Sequence, residues 1–211
     1  MPDKTATVIN AYNQCAEAFA ERFMDFTLYN DLFDDFLALL QDNARVLDIG
    51  CGPGNVAKYM LTHKPALRWT GVDLSEEMIK LASANIPQGQ FFVRDLRALD
   101  METGSFDAGI ASFCLPHLST GEAADFLTAF ANALASGAYA YVSTMEGTGH
   151  RFEDTSFSGG ALLYFNFYSR AFLEAQFARC GLHIVRADEK MYLERDGSAT
   201  TDLIYFLQKN K

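Results

Sequence analysis

Apolar residues recur along this chain with two distinct periods. Near the N-terminus Val8, Tyr12, Cys15, Ala16, Phe19 and Phe23 follow one another at spacings of three and four. That spacing predicts a helix with one apolar stripe, its other faces carrying Gln14, Glu17 and Glu21. A second stripe, Leu32, Phe33, Phe36, Leu37 and Leu40, predicts another helix, with Asn30 or Asp31 as its cap. From Arg45 onward short apolar runs alternate with helical stretches. Val46–Ile49, Leu67–Val72, Phe91–Val93, Ser105–Ala111 and Ala138–Thr144 read as strands. Between them, helices are predicted over Val56–Leu61, ending before Pro65, over Glu76–Ala84, and over Glu122–Ala135 with Gly137 as its stop. Ser169 caps a further helix through Phe172, Leu173, Gln176 and Phe177 that ends at Gly181. His183–Val185, extended through Met191–Leu193, and Leu203–Leu207 read as two closing strands around a turn at Arg195–Ser198. Such alternation predicts an α/β unit with a mostly parallel sheet and helices on both faces.

The first strand runs into Asp48-Ile49-Gly50-Cys51-Gly52-Pro53-Gly54-Asn55. Strand, glycine turn and helix in that order make a ligand cradle. Glycine lets the turn take otherwise strained angles and lets a ligand approach the backbone. The helix start adds N–H groups and a partial positive charge. The stretch resembles motif I of the class I S-adenosylmethionine (SAM) dependent methyltransferases, acidic-x-Gly-x-Gly-x-Gly. Asp73, at the carboxyl end of the second strand, stands where a carboxylate can accept hydrogen bonds from both hydroxyls of a ribose. Ser75 is available to cap the next helix, with Met78 further in. Asp95, after the third strand, matches the family's adenine-facing acid; alone it equally fits a loop cap. Phe106-Asp107 resembles the strand that ends under the transferable methyl group, with Asp107 ordering the strand start. His117, in the segment that follows, is either an ordinary loop histidine or an acceptor-side base or donor.

The resemblance covers roughly residues 40–211. It implies a doubly wound, Rossmann-like sheet of seven strands in the order 3-2-1-4-5-7-6, the last inserted antiparallel. The whole chain, 1–211, would be one methyltransferase domain: an N-terminal helical lid over 1–42, a SAM-binding core over 43–145, a substrate lid segment over 146–168, and a closing helix and strands over 169–211. The first helix either simply covers the sheet or also lids the cofactor, with Tyr12, Phe19 and Arg22 as contacts. The segment 146–168 has Gly147, Gly149, Gly159 and Gly160 among many aromatics. It is expected to be a lid or an oligomer contact rather than a plain surface loop. The implied cofactor set is Tyr12, Arg22, Asp48, Gly50, Cys51, Gly52, Gly54, Asp73, Leu74, Met78, Asp95, Leu96, Ser112 and Phe113. The glycine turn would take the methionine part of SAM, and S-adenosylhomocysteine would be the product. His117, then Glu146 and His150, are the acceptor-side candidates, with His117 as the catalytic choice.

Composition narrows the partners. The chain has 211 residues, 49% hydrophobic and 21% charged, with a net charge of -10. That range fits one globular domain with a sizeable core. The acidic balance disfavours nucleic acid and anionic membrane. No Asn-Pro-Pro-Tyr-like tetrapeptide follows the fourth strand, where Ser112-Phe113-Cys114-Leu115 stands. Both features favour a small-molecule acceptor. Cys15, Cys51, Cys114 and Cys180 form no Cys-x-x-Cys pair, so neither a metal nor a disulfide is expected. With no signal-like or spanning apolar run, a cytoplasmic protein is expected, as monomer or homodimer. Two other readings stay open. One is a non-catalytic SAM-binding or partner-binding protein on this fold. The other is an NAD-dependent oxidoreductase, from which the Gly-x-Gly-x-Gly spacing and Tyr164-x-x-x-Tyr168 depart.

Overall fold

The structure is a computed structural model and describes residues 4–155, 157–193, 197 and 199–211. Two helices come first, α1 (Lys4–Phe23) and α2 (Asn30–Leu39). The alternating part follows: β1 (Arg45–Ile49), α3 (Asn55–His63), β2 (Arg68–Asp73), α4 (Glu76–Asn85), β3 (Gln90–Val93), β4 (Phe106–Ser112), α5 (Thr120–Ala133) and β5 (Leu134–Met145). A hairpin, β6 (His150–Asp154) and β7 (Leu162–Asn166), precedes α6 (Arg170–Arg179), β8 (Leu182–Leu193) and β9 (Ala199–Lys209).

The main sheet has seven strands in the order β3-β2-β1-β4-β5-β9-β8. With the hairpin set aside, this is the expected 3-2-1-4-5-7-6. β9 runs antiparallel to both neighbours, and the other pairings are parallel. The central strands are buried on both faces while the edge strands β3 and β8 are largely exposed, and β9 shows how the burial arises. Leu203, Tyr205 and Leu207 alternate into a core with Phe126, Phe130 and Phe177. Ile204 and Phe206 point the other way, into a core with Phe36, Trp69 and Tyr141. Successive strand side chains take opposite faces, so a continuous apolar run is what a doubly covered strand needs. A third cluster joins Val8 and Ala11 of α1 to Leu163 and Phe165 of β7.

Three expectations change. Neither Asn30 nor Asp31 caps α2; both lie inside it. The cap position is Tyr29, whose carbonyl accepts from the N–H groups of Leu32 and Phe33. Gly137 does not stop α5. The helix ends at Ala133, and Leu134 turns to extended geometry, with ψ 140, at the head of β5. There Leu134 pairs with Phe106 and is 1% exposed, so burial and strand pairing outweigh another turn of helix. Gly137 sits at φ 77 where the β4–β5 register shifts. The irregular connection expected over 146–168 contains an ordered hairpin, paired from His150↔Asn166 to Asp154↔Leu162. Of the expected turn at Arg195–Ser198, Arg195, Asp196 and Ser198 lie outside the described residues.

Candidate functional site

The glycine turn leaves the carboxyl end of β1 at the point where strand order reverses between β1 and β4. Gly50, Gly52 and Gly54 all have positive φ (66, 52 and 87°), which only glycine adopts without strain. The N–H groups of Gly50 and Cys51 donate to the Val72 carbonyl, tying the turn to β2. A Cβ on Gly50 would stand 2.6 Å from the Cβ of buried Cys114. Gly52 differs: a Cβ there would meet nothing nearer than 3.7 Å, because that side opens into a cavity.

The cavity has a volume of about 910 Å³ and begins at Gly50, Cys51 and Gly52. Asp73, Leu74 and Met78 line one wall, Asp95 and Leu96 another, and Ser112, Phe113 and His117 a third. Tyr12, Phe19 and Phe23 of α1 form the roof.

Asp73 is held from both sides. Its Oδ2 accepts from the Gly52 N–H (3.0 Å) and its Oδ1 from the Ser75 N–H (2.9 Å). Burial raises its pKa, and donors from Ser75, Gly52 and Leu74 oppose the rise. Ser75 caps α4 by accepting from Met78 N–H, and its hydroxyl donates to Asn13 Oδ1 at 2.7 Å. Asn13 thereby pins α1 to the head of α4. Asp95 does serve as a loop cap, over the short turn Leu96–Ala98, and is paired with Arg97 at 2.6 Å. Arg97 holds its carboxyl below the usual range. Its place in the cavity wall is unaffected by the capping role, because each carboxylate oxygen has a second lone pair.

Asp48 lies beneath the turn rather than in the cavity wall. It is 1% exposed, and neither oxygen has a hydrogen-bond partner in good geometry. Burial pushes its pKa up to about 7; the Trp69 indole works against that rise and the Asp73 charge adds to it. Gly54 also stands behind the wall, packed on Ala82 and Ile86 at the head of α3. Arg22 is outside: it donates to the Tyr192 hydroxyl at 3.2 Å and is exposed. Glu146 is paired with Arg170, and exposed His150 lies against Tyr164. Neither of these two residues is in the wall. Asp107 orders the start of β4, accepting from the backbone and guanidinium of Arg45.

Opposite the glycine turn, the Tyr12 hydroxyl stands 2.9 Å from His117 Nε2. His117 Nδ1 faces the Tyr164 carbonyl at 3.0 Å. A carbonyl only accepts, so Nδ1 carries the proton and Nε2 accepts from Tyr12. Burial pushes the His117 pKa down to about 4, so the ring is neutral near pH 7. Burial also drives the Tyr12 phenol far above its ordinary value, with the Asp73 charge adding to the rise. Nearby, the Tyr29 hydroxyl donates to Asp202 Oδ2 at 2.6 Å. Its ring lies 5.3 Å from Phe113, which has φ 53. For a non-glycine residue that conformation costs on the order of 1–3 kcal/mol and marks a place the surrounding structure holds under strain. Phe157, between β6 and β7, inserts its ring among Tyr12, Phe19 and Phe23. The Asn13, Tyr29–Asp202 and Phe157 contacts lack any local sequence signal. Among the described residues no cluster of side chains could hold a metal ion, and no helix is long and apolar enough to cross a membrane.

Residues 46–137 match the family described as methyltransferase domain. A trans-aconitate 2-methyltransferase of Azoarcus sp. is 44% identical over 59 residues, which are 28% of this chain and 23% of that protein. A demethylmenaquinone methyltransferase of Thermotoga maritima is 36% identical over 69 residues, 33% of this chain and 30% of that protein. The chain thus spans under a third of the length of these curated relatives. The solved 1,6-didemethyltoxoflavin-N1-methyltransferase of Burkholderia thailandensis superposes with a TM-score of 0.74 at 20% identity, covering 98% of this chain and 89% of that one. Its topology, its glycine turn and these likenesses identify the chain as having the class I, Rossmann-like fold of SAM-dependent methyltransferases, with the methyltransferase-domain sequence over residues 46–137.

Proposed function

We propose that the protein is a SAM-dependent methyltransferase acting on a small-molecule acceptor. The observation that carries this is one continuous cavity. It joins the glycine turn and Asp73 at one end to Tyr12 and His117 at the other. The residues fit the cofactor. Gly52 leaves open the space a side chain would fill, and Asp73 is clamped with its carboxylate in the wall. A volume near 910 Å³ lies at the upper end of the range of about 300–1,000 Å³ for ligand pockets, as a site for a donor and a small acceptor together requires. The relatives named for trans-aconitate and demethylmenaquinone also act on small molecules, as their names state.

In this reading the glycine turn takes the amino-acid part of SAM, Asp73 accepts from the ribose hydroxyls and Asp95 faces the adenine. Bound there, SAM supplies an electrophilic methyl group. The chain's own work is to orient, to exclude water and to hold protons. Asn13 fixes α1 over the cavity, and Phe157 closes the gap between α1 and the hairpin. Aromatic faces of Tyr12 and Phe19 favour a cation beneath them. Neutral His117 holds Tyr12 by its hydroxyl, so Tyr12 rather than free imidazole meets the acceptor. A proton leaving the acceptor could pass to His117 Nε2 only if Tyr12 moves aside or relays it. Residues 1–211 act as one unit whose covers are α1–α2 and the β6–β7 hairpin, as monomer or homodimer. The test is release of S-adenosylhomocysteine from SAM across a panel of small amines, phenols, thiols and carboxylic acids. Turnover with any of them supports the reading. SAM binding with no turnover on any acceptor would favour a non-catalytic SAM-binding protein.

A further inference from the structure

The cavity wall carries a charge pattern that bears on substrate class. Among the described residues it holds two guanidinium groups, Arg97 and Arg151. Arg97 is committed to Asp95, at 2.6 Å, and stands 3.8 Å from Glu122. Arg151 is paired with Glu153, and its guanidinium lies 4.1 Å from the centre of the Phe167 ring. The two residues are i and i+2 on β6, so they share a face and the pair is built into the strand. Asp154 and Asp202 also line the wall, and among the described residues Arg97 and Arg151 are its only lysine or arginine side chains. His117 is neutral near pH 7. The remaining wall is apolar, with Phe23, Phe26, Phe157 and Phe165.

We propose that the acceptor is a small molecule with an apolar body and no net negative charge, and that Glu153 enforces this by cancelling Arg151 inside the cavity. The proposal rests on the methyltransferase reading. Recognition of a carboxylate calls for a positive group free to engage it, above all a bidentate arginine. A polycarboxylate such as trans-aconitate would enter a wall whose arginines are already paired and whose other charges are acidic. Like-charge contacts of this kind reject a ligand as effectively as a missing attraction. The chain thereby differs from the trans-aconitate methyltransferases it resembles. Their likeness is confined to about a quarter of their length.

The experiment uses the full chain saturated with S-adenosylhomocysteine and measures calorimetric binding of trans-aconitate, and of benzylamine and benzoate as a pair that share a ring and differ in charge. The same titrations are run on Glu153→Gln. The wild-type protein is expected to prefer benzylamine to benzoate and to bind trans-aconitate weakly or not at all. Glu153→Gln, which frees Arg151, is expected to gain about fivefold in affinity for both anions, the worth of one partly exposed charge. Its affinity for S-adenosylhomocysteine is expected to stay unchanged. Wild-type binding of trans-aconitate or benzoate at least as tight as benzylamine overturns the proposal, as does a Glu153→Gln variant with no gain for either anion. If S-adenosylhomocysteine itself fails to bind, the methyltransferase reading falls and takes this proposal with it.

Discussion

Asp48→Asn should stabilise the free protein, and the gain should depend on pH. Asp48 is 1% exposed, with no donor in hydrogen-bonding geometry to either oxygen, and its pKa is pushed up to about 7. In the unfolded chain it titrates near its ordinary value of about 3.9. A carboxyl whose folded pKa is raised favours the folded state below the unfolded pKa. That contribution is lost as pH rises from about 4 through about 7. The shift of roughly three units corresponds to about 4 kcal/mol, an upper bound because the interior relaxes around the charge. Asparagine keeps the shape and removes the titration. Urea unfolding of both proteins at pH 5 and pH 8 isolates the effect, since every other group titrates in both. The variant's stability advantage should grow by about 1–3 kcal/mol between the two pH values. An advantage that does not change with pH would refute the burial argument for Asp48.

Other expectations follow from the same geometry. Asp73→Ala should weaken SAM binding by about 1–3 kcal/mol in calorimetry, through loss of two hydrogen bonds to a ribose; unchanged affinity would remove the ribose assignment. The glycines should separate function from folding. Gly52→Val should abolish SAM binding and still fold, because its side chain enters the cavity, although φ 52 adds strain. Gly50→Ala should unfold more readily, since its Cβ meets Cys114 at 2.6 Å. A melting temperature for Gly50→Ala no lower than that of Gly52→Val would contradict that distinction. Tyr12→Phe should cut turnover at least tenfold while leaving S-adenosylhomocysteine affinity within a few-fold. Equal turnover would make the Tyr12–His117 bond merely structural.

The glycine-turn end of the cavity was legible because its signals are local. A strand, three glycines and a helix start are contiguous, and Asp73 follows at the end of the next strand. Seven-strand topology followed from the resemblance and from apolar runs long enough to be buried on both faces. What escaped the sequence depends on pairs far apart in it. Tyr12 and His117 are separated by 105 residues and Tyr29 and Asp202 by 173, so no spacing links them. Arg22 looked like a roof contact because it shares a helix with Tyr12 and Phe19, yet its guanidinium points to Tyr192. The hairpin was hidden for a different reason. Glycines just before it and in its turn read as irregular backbone, while its strand residues Leu163, Tyr164 and Phe165 owe their burial to α1. Gly137 misled because a glycine after a helical run usually ends it, whereas here strand pairing at Leu134 acts first.

The central claim is that the glycine-turn cavity is a SAM site. Parallel calorimetric titration of the purified chain with SAM, S-adenosylhomocysteine and NAD tests it most directly. The account predicts one site per chain for SAM and S-adenosylhomocysteine and no heat of binding with NAD. Binding of NAD in place of SAM, or no binding of all three, would contradict it.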